Sequence, residues 1–169
     1  MESSPLRGLR RKSYLECLRW YKAPEILFGS RSYGSEVDVW SFACIFGEML
    51  NGAPLFPGNN DLHQVSKIAK YLGSPTEKNW PEIVNLPDYG KIQFDEFEPV
   101  PLSEIFADSS EEEVEFLQSV LSYQDRPSCK DLLGSKYLKQ YPPPLERLII
   151  EERRLDFKPR KYEEIFGIE

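Results

Sequence analysis

The side chains equipped for chemistry are few and widely spaced. His63 is the single histidine, the residue type whose charge changes near neutral pH and which serves most often as general acid or base. One imidazole cannot form a His-based relay, and its place on the polar side of a helical pattern suits a solvated position. Glu112/Glu113 and Glu151/Glu152 are carboxylate pairs, but they lie in charged helical runs and read as solvated faces. Cys17, Cys44 and Cys129 are odd in number and far apart, a spacing that fits neither a disulfide framework nor a zinc site. No glycine trio is spaced to cradle phosphate, and no G-x-x-x-x-G-K-[ST] occurs. Two segments remain: the run Arg19-Trp20-Tyr21-Lys22-Ala23-Pro24-Glu25 and the turn Asp125-Arg126-Pro127-Ser128. Taken alone, Glu25 and Arg126 are ordinary surface charges.

The elements that must position these residues are helical. Ser35-Glu36-Val37-Asp38 resembles a capping box, with Ser35 accepting a backbone N–H and the Asp38 carboxylate reaching back. From Val37 to Leu50 the chain is apolar nearly all round, including Trp40, Ile45 and Phe46, which predicts a helix buried on every side. Asn51-Gly52 ends it, with Gly52 suited to a left-handed cap. A second helix is predicted over Asp61 to Leu72, with Leu62, Val65, Ile68, Ala69 and Leu72 on one face and Gln64, Lys67 and Lys70 opposite. Ser74-Pro75-Thr76-Glu77 suggests a short third helix with proline at its first position. Residues 84–108 hold prolines and little periodicity, so they read as an ordered, irregular excursion. Ser110 to Glu113 is another capping box, opening a helix through Val114, Leu117, Val120 and Leu121. A last helix starts at Ser128 and carries Leu132, Leu133, Tyr137 and Leu138. Leu145 to Leu155 has the pattern of an amphipathic tail helix. No alternating pattern is long enough to build a sheet, so the fold class is mainly α.

With 169 residues and 40% of them hydrophobic, the chain suits one domain with a real core. Residues 1–13 read as a disordered basic arm, 14–141 as the folded part and 142–169 as a charged tail. The net charge of −7 argues against general nucleic-acid or anionic-membrane binding. Residues 1–22 carry six Lys/Arg against two Asp/Glu, leaving a net of −11 on the rest. No apolar run approaches the ~20 residues that span a bilayer, and no secretory leader follows Met1. The cysteine pattern suits a reducing compartment, so cytoplasm or nucleus is the expected location.

Read in order, these motifs carry a resemblance. Arg19 to Glu25, Asp38-Val39-Trp40-Ser41 and Asn51-Gly52-Ala53-Pro54-Leu55-Phe56-Pro57-Gly58-Asn59-Asn60-Asp61 come first. Leu72-Gly73-Ser74-Pro75-Thr76, Asn79-Trp80-Pro81, Leu86-Pro87-Asp88-Tyr89, Pro101-Leu102-Ser103-Glu104 and Asp125 to Ser128 follow. The series resembles the C-lobe of the cyclin-dependent and MAP kinase group, from the A-P-E that closes the activation segment onward. Within the group it is most like the cell-cycle-related kinases, with the CDK-activating kinases next.

The resemblance implies a Ser/Thr kinase that phosphorylates Ser or Thr before proline. It implies that Ala23, Pro24 and Glu25 are the A-P-E, that Glu25 pairs with Arg126, and that Asp38 and Trp40 belong to the same scaffold. Asp38 matches a residue that anchors the catalytic loop, and with no such loop in the sequence its expected role is the capping-box carboxylate. Leu18, Arg19, Trp20 and Lys22 match the platform that receives the residue after the phosphoacceptor, although Trp20 and Tyr21 also suit a plain core role. ATP and Mg²⁺ are the family's cofactors. Their Gly-rich loop, strand lysine, H-R-D and D-F-G all belong before A-P-E and do not occur here, so no catalytic, ATP-binding or metal residue is assigned. Leu18 replaces a threonine and Lys22 an arginine, Leu15 falls at the activating phosphothreonine, and the segment is about two residues short.

The chain alone is therefore expected to be inactive, either as a portion of a kinase or as a non-catalytic docking module. Its expected contacts with substrates or partners are residues 61–72 and 86–98, with cyclin binding lost. With the family's preceding C-lobe helix missing, Trp40 and Phe46 are expected to leave an exposed apolar patch.

Overall fold

The structure, a computed structural model, describes residues 18–93 and 95–140; the basic arm and the Leu145–Leu155 pattern lie outside them. Residues 18–20 are helical, followed by α1 (Pro24–Leu27), α2 (Glu36–Asn51), α3 (Asp61–Leu72) and a 3₁₀ helix (Pro81–Asn85). The chain continues through α4 (Leu102–Ile105), α5 (Glu111–Val120), α6 (Cys129–Leu133) and α7 (Lys136–Lys139). No strand occurs among the described residues, and the fold is mainly helical. None of the helices is long and apolar enough to cross a membrane.

Helix α2 is the axis of the core. Its Val39, Trp40, Ala43, Cys44 and Phe46 are buried, and burial pushes the Cys44 thiol well up. The expected burial on every side does not hold: Ile45 is 49% and Met49 64% exposed. The expected patch is misplaced too, because Trp40 and Phe46 are covered. Trp40 stacks on Phe56 at 5.9 Å, while Phe46 meets Phe116 at 5.2 Å and Tyr137 at 5.5 Å. Ring pairs of this geometry add to the burial energy of the aromatic area.

The entry to α2 differs from the capping box. Ser35 already has helical backbone angles (φ −69°, ψ −11°) and makes no side-chain cap, and Asp38 is exposed. Glu36 closes the turn instead, its Oε1 accepting from the Gly34 N–H at 2.7 Å. That bond, with its own backbone N–H, holds the Glu36 carboxyl below the ordinary carboxylate value. At the other end Gly52 takes the left-handed cap (φ 70°) and donates to the Glu48 carbonyl.

Helix α3 runs over the predicted span with Asn60 as its cap, and Val65, Ile68 and Ala69 of the predicted apolar face are buried, but the edges of that face differ from expectation. Gln64 and Lys67 are buried and Leu62 is 49% exposed, because Gln64 is recruited to satisfy backbone groups. After α3, Ser74 to Thr76 do not form a helix. The Asn79 side chain accepts from the Thr76 N–H (2.7 Å) and donates to the Ser74 carbonyl (3.0 Å), closing a turn that delivers Trp80 to the core. Pro81 then opens the 3₁₀ helix.

Residues 86–93 and 95–101 are irregular and tied down by their backbone. The Phe97 carbonyl accepts from Ser74 N–H, and Val100 N–H donates to Tyr71. Helix α5 has the expected capping box and packs against α2, α4 and α7. Ser128 and Asp131 also form the expected box, but the single last helix is two. Ser135 is extended (ψ 150°) and its hydroxyl accepts from Leu138 N–H, so it starts α7 afresh and leaves Leu133 73% exposed.

Gly58 shows how tightly the loop before α3 is fitted. A Cβ there would lie 2.6 Å from Gln64 Cα and 2.7 Å from its backbone nitrogen. Gly58→Ala is expected to cost about 1–3 kcal/mol by overpacking, read as a lower denaturant midpoint with an unchanged slope.

Candidate functional site

The charged residues singled out in sequence meet at one place. Arg126, its side chain 2% exposed, forms a two-pronged pair with Glu25: Nη1 donates to Oε1 at 2.7 Å and Nη2 to Oε2 at 2.9 Å. The other three N–H bonds are also used. Nε donates to the Ser122 carbonyl (2.7 Å), Nη2 to Tyr123 (3.0 Å) and Nη1 to Glu36 (3.2 Å). A guanidinium has five donors, and all five are satisfied. Its flat face lies 5.0 Å from the centre of the Trp40 ring. Asp125, in the left-handed region (φ 56°), turns the chain so that Arg126 points inward. This is the pairing of Glu25 with Arg126 that the resemblance implies, with Trp40 beneath it.

The preceding run is docked on the other side of α1. Arg19 Nε donates to Asp61 Oδ1 at 2.9 Å and Nη1 to the Asn59 carbonyl, while Lys22 Nζ lies 3.6 Å from Asp61 Oδ2. The Trp20 indole N–H donates to the Gly58 carbonyl (3.2 Å). Buried Gln64 links the two segments, accepting from Gly58 N–H (3.0 Å) and donating to the Trp20 carbonyl (3.1 Å). Tyr21 Oη donates to Glu48 at 2.6 Å, and its carbonyl accepts from Ser41. Arg19, Trp20 and Lys22 are thus brought together at the start of α3, and Leu18 stands 49% exposed at the edge. Gln64, Asp61 and Glu48 were not singled out from sequence. Gln64 falls on the polar side of the helical pattern, and nothing local signals that two backbone groups elsewhere need it.

A cleft of about 370 Å³ opens beside the ion pair, lined by Glu36, Glu82, Asp125, Trp80 and Arg126 among others. Among the described residues no three His, Cys, Asp or Glu gather as a metal site. His63 is half-buried, and its Nδ1 accepts from the Asn59 N–H at 3.3 Å. Desolvation, helped by Lys67 and Lys70, pulls its pKa below the ordinary 6.5.

Residues 6–138 match the family of the protein kinase domain. The chain is 46% identical over 139 residues to cyclin-dependent kinase 20 of Danio rerio, covering 81% of this chain and 40% of that one. It is 47% identical over 131 residues to cyclin-dependent kinase 20 of Homo sapiens, covering 78% and 37%. It is also 39% identical over 128 residues to a probable serine/threonine-protein kinase KIN28 homolog of Encephalitozoon cuniculi, covering 75% and 41%. The chain belongs to the protein kinase family, in its cyclin-dependent-kinase-like branch. It spans about two fifths of the length of these relatives. The Gly-rich loop, H-R-D and D-F-G motifs that hold ATP and Mg²⁺ in the family do not occur in these 169 residues.

Two measurements check this geometry. Arg126→Ala leaves the Glu25 carboxylate unpaired in a desolvated place and is expected to cost about 3–5 kcal/mol, with Arg126→Lys also destabilising because an ammonium cannot reproduce the fork. Adding Glu25→Ala to Arg126→Ala is expected to cost less than the two single losses summed, which denaturant titration of all four proteins would read. His63, the single histidine, supplies the second. Its folded pKa is depressed, so the folded state binds the proton more weakly than the unfolded chain. Stability is full above pH 6.5 and falls as pH drops below it. His63→Gln is expected to flatten the melting temperature against pH between about 7 and 5.

Proposed function

We propose that this chain is the substrate-side part of a cyclin-dependent-kinase-like serine/threonine kinase: the C-lobe from the activation segment onward. The whole enzyme moves the γ-phosphate of ATP to Ser or Thr, with proline next in the substrate, in the cytoplasm or nucleus. The observation that supports this reading is the five-donor seat of Arg126, whose pairing with Glu25 is the contact expected if Ala23-Pro24-Glu25 is the A-P-E. In this reading Leu18, Arg19, Trp20 and Lys22 are the platform for the residue after the phosphoacceptor. Residues 61–72 and 86–98 form the docking surface for substrates or partners.

A non-catalytic docking module is the second reading. Arg19 and Lys22 are both engaged by Asp61, and Leu18 replaces the threonine that the platform normally carries. An upstream reading frame encoding the Gly-rich loop, H-R-D and D-F-G supports the first reading, and its lack supports the second.

In both readings these 169 residues transfer no phosphate. Incubation of the purified protein with Mg·ATP and a Ser-Pro peptide is expected to give no labelled peptide and no nucleotide-dependent melting shift. Transfer above the level of a denatured control overturns this.

A further inference from the structure

The loop in front of α3 carries one peptide unit gripped from both sides. Its carbonyl, that of Gly58, accepts from the Trp20 indole N–H at 3.2 Å, and its N–H, that of Asn59, donates to His63 Nδ1 at 3.3 Å. The next carbonyl, that of Asn59, accepts from Arg19 Nη1 at 3.1 Å. His63 is the third residue of α3, and its own N–H donates to the Asn60 side chain at 2.8 Å. Asn60 and His63 therefore make a variant of the capping box, with an imidazole where glutamate or glutamine ordinarily reaches back to a backbone N–H. An imidazole differs from those acceptors in one respect: it titrates near neutral pH. Because Nδ1 accepts, the neutral ring carries its proton on Nε2, and a second proton can go only to Nδ1.

We propose that His63 is a proton switch on the segment from Leu18 to Lys22. With a proton taken up from solvent, Nδ1 turns from acceptor to donor and sets N–H against N–H across the Asn59 contact. The Gly58–Asn59 peptide then keeps one grip of two and turns away from His63. Carbonyl and N–H belong to one rigid plane, so the same turn carries the Gly58 carbonyl off the Trp20 indole. The Asn59 carbonyl follows, and Arg19 loosens with it. Tyr21 keeps its bond to Glu48, and the Trp20 carbonyl keeps Gln64, so the segment is loosened rather than released.

The charges on the elements packed here leave the imidazolium unsupported. On α3 they are Asp61, Lys67 and Lys70; on the preceding segment, Arg19 and Lys22; on α1, which packs against α3, Glu25. Glu25 is committed to Arg126, and Asp61 is shared by Arg19 and Lys22 at 2.9 and 3.6 Å. Desolvation opposes the second proton, and Lys67, Lys70 and the positive end of the helix add to it. Loss of the contact is therefore expected only below pH 6.5. The inference concerns the position of Trp20 and stands whether or not the segment receives substrate.

The full chain, isotope-labelled, is titrated by NMR from about pH 7.5 to 5, a range that brackets imidazole and leaves most carboxylates ionised. The Trp20 indole N–H resonance is expected to move with the same midpoint as the His63 ring. Exchange of the Asn59 amide, divided by the rate of an unstructured amide at each pH, is expected to quicken about fivefold, the scale of one lost hydrogen bond. His63→Gln keeps an acceptor that does not titrate, so its Trp20 and Asn59 signals are expected to hold constant. If that variant does not fold, the coincidence of midpoints in the unaltered chain decides. A Trp20 indole that stays still, that titrates away from the His63 midpoint, or that titrates equally in His63→Gln overturns the proposal. Loss of amide protection in α5 together with Asn59 is acid unfolding, and overturns it too.

Discussion

One guanidinium holds the ends of this fold together. Arg126 reaches Glu25 across 101 positions of sequence and Glu36 across 90, and it clasps its own turn through Ser122 and Tyr123. Burying a cation at 2% side-chain exposure is costly, and the cost is offset only because each of its N–H bonds has an acceptor. The arrangement is all-or-nothing. With the carboxylate removed, two donors are stranded over Trp40; with the arginine removed, Glu25 is stranded instead. Hence the segment before α1 is positioned by a contact made near the other end of the described chain.

The second constraint is local to α3 and depends on the first. Once Glu25 is pinned, α1 lies against α3, and Arg19 to Lys22 face the loop from Gly58 to Asp61. Gln64 then serves two backbone groups from two segments, which is why a polar side chain is buried there at 0% exposure. Asp61 pairs with both Arg19 and Lys22 at an exposed position, where such pairs are weak and screened by salt. A rigid apolar and hydrogen-bonded base thus carries a soft electrostatic surface.

Much of this was legible in residue order. The capping boxes at Ser110 and Ser128, the span of α3 and the Gly52 cap are local rules, and local rules read well from a single sequence. The Glu25–Arg126 pair was legible only through the resemblance, because nothing within ten residues of either charge announces the other. The misses share a cause. Ser35, Gln64 and the Ser74–Thr76 turn each have several hydrogen-bonding options, and distant groups decided among them. Gly134-Ser135 failed differently: a strong cap signal sat inside what looked like a continuing helix, and the cap prevailed.

Helix α2 shows why composition alone cannot say what a helix faces. Its apolar residues encircle the axis, yet only the sides carrying Trp40, Ala43, Cys44 and Phe46 are closed by other elements. An apolar residue facing water costs little free energy by itself, so Ile45 and Met49 stand exposed without disturbing the fold. Substitution to lysine or glutamate at either position would satisfy helix propensity equally well. The described core does not need that side of the helix: the aromatic contacts of Phe46 secure it from the opposite faces.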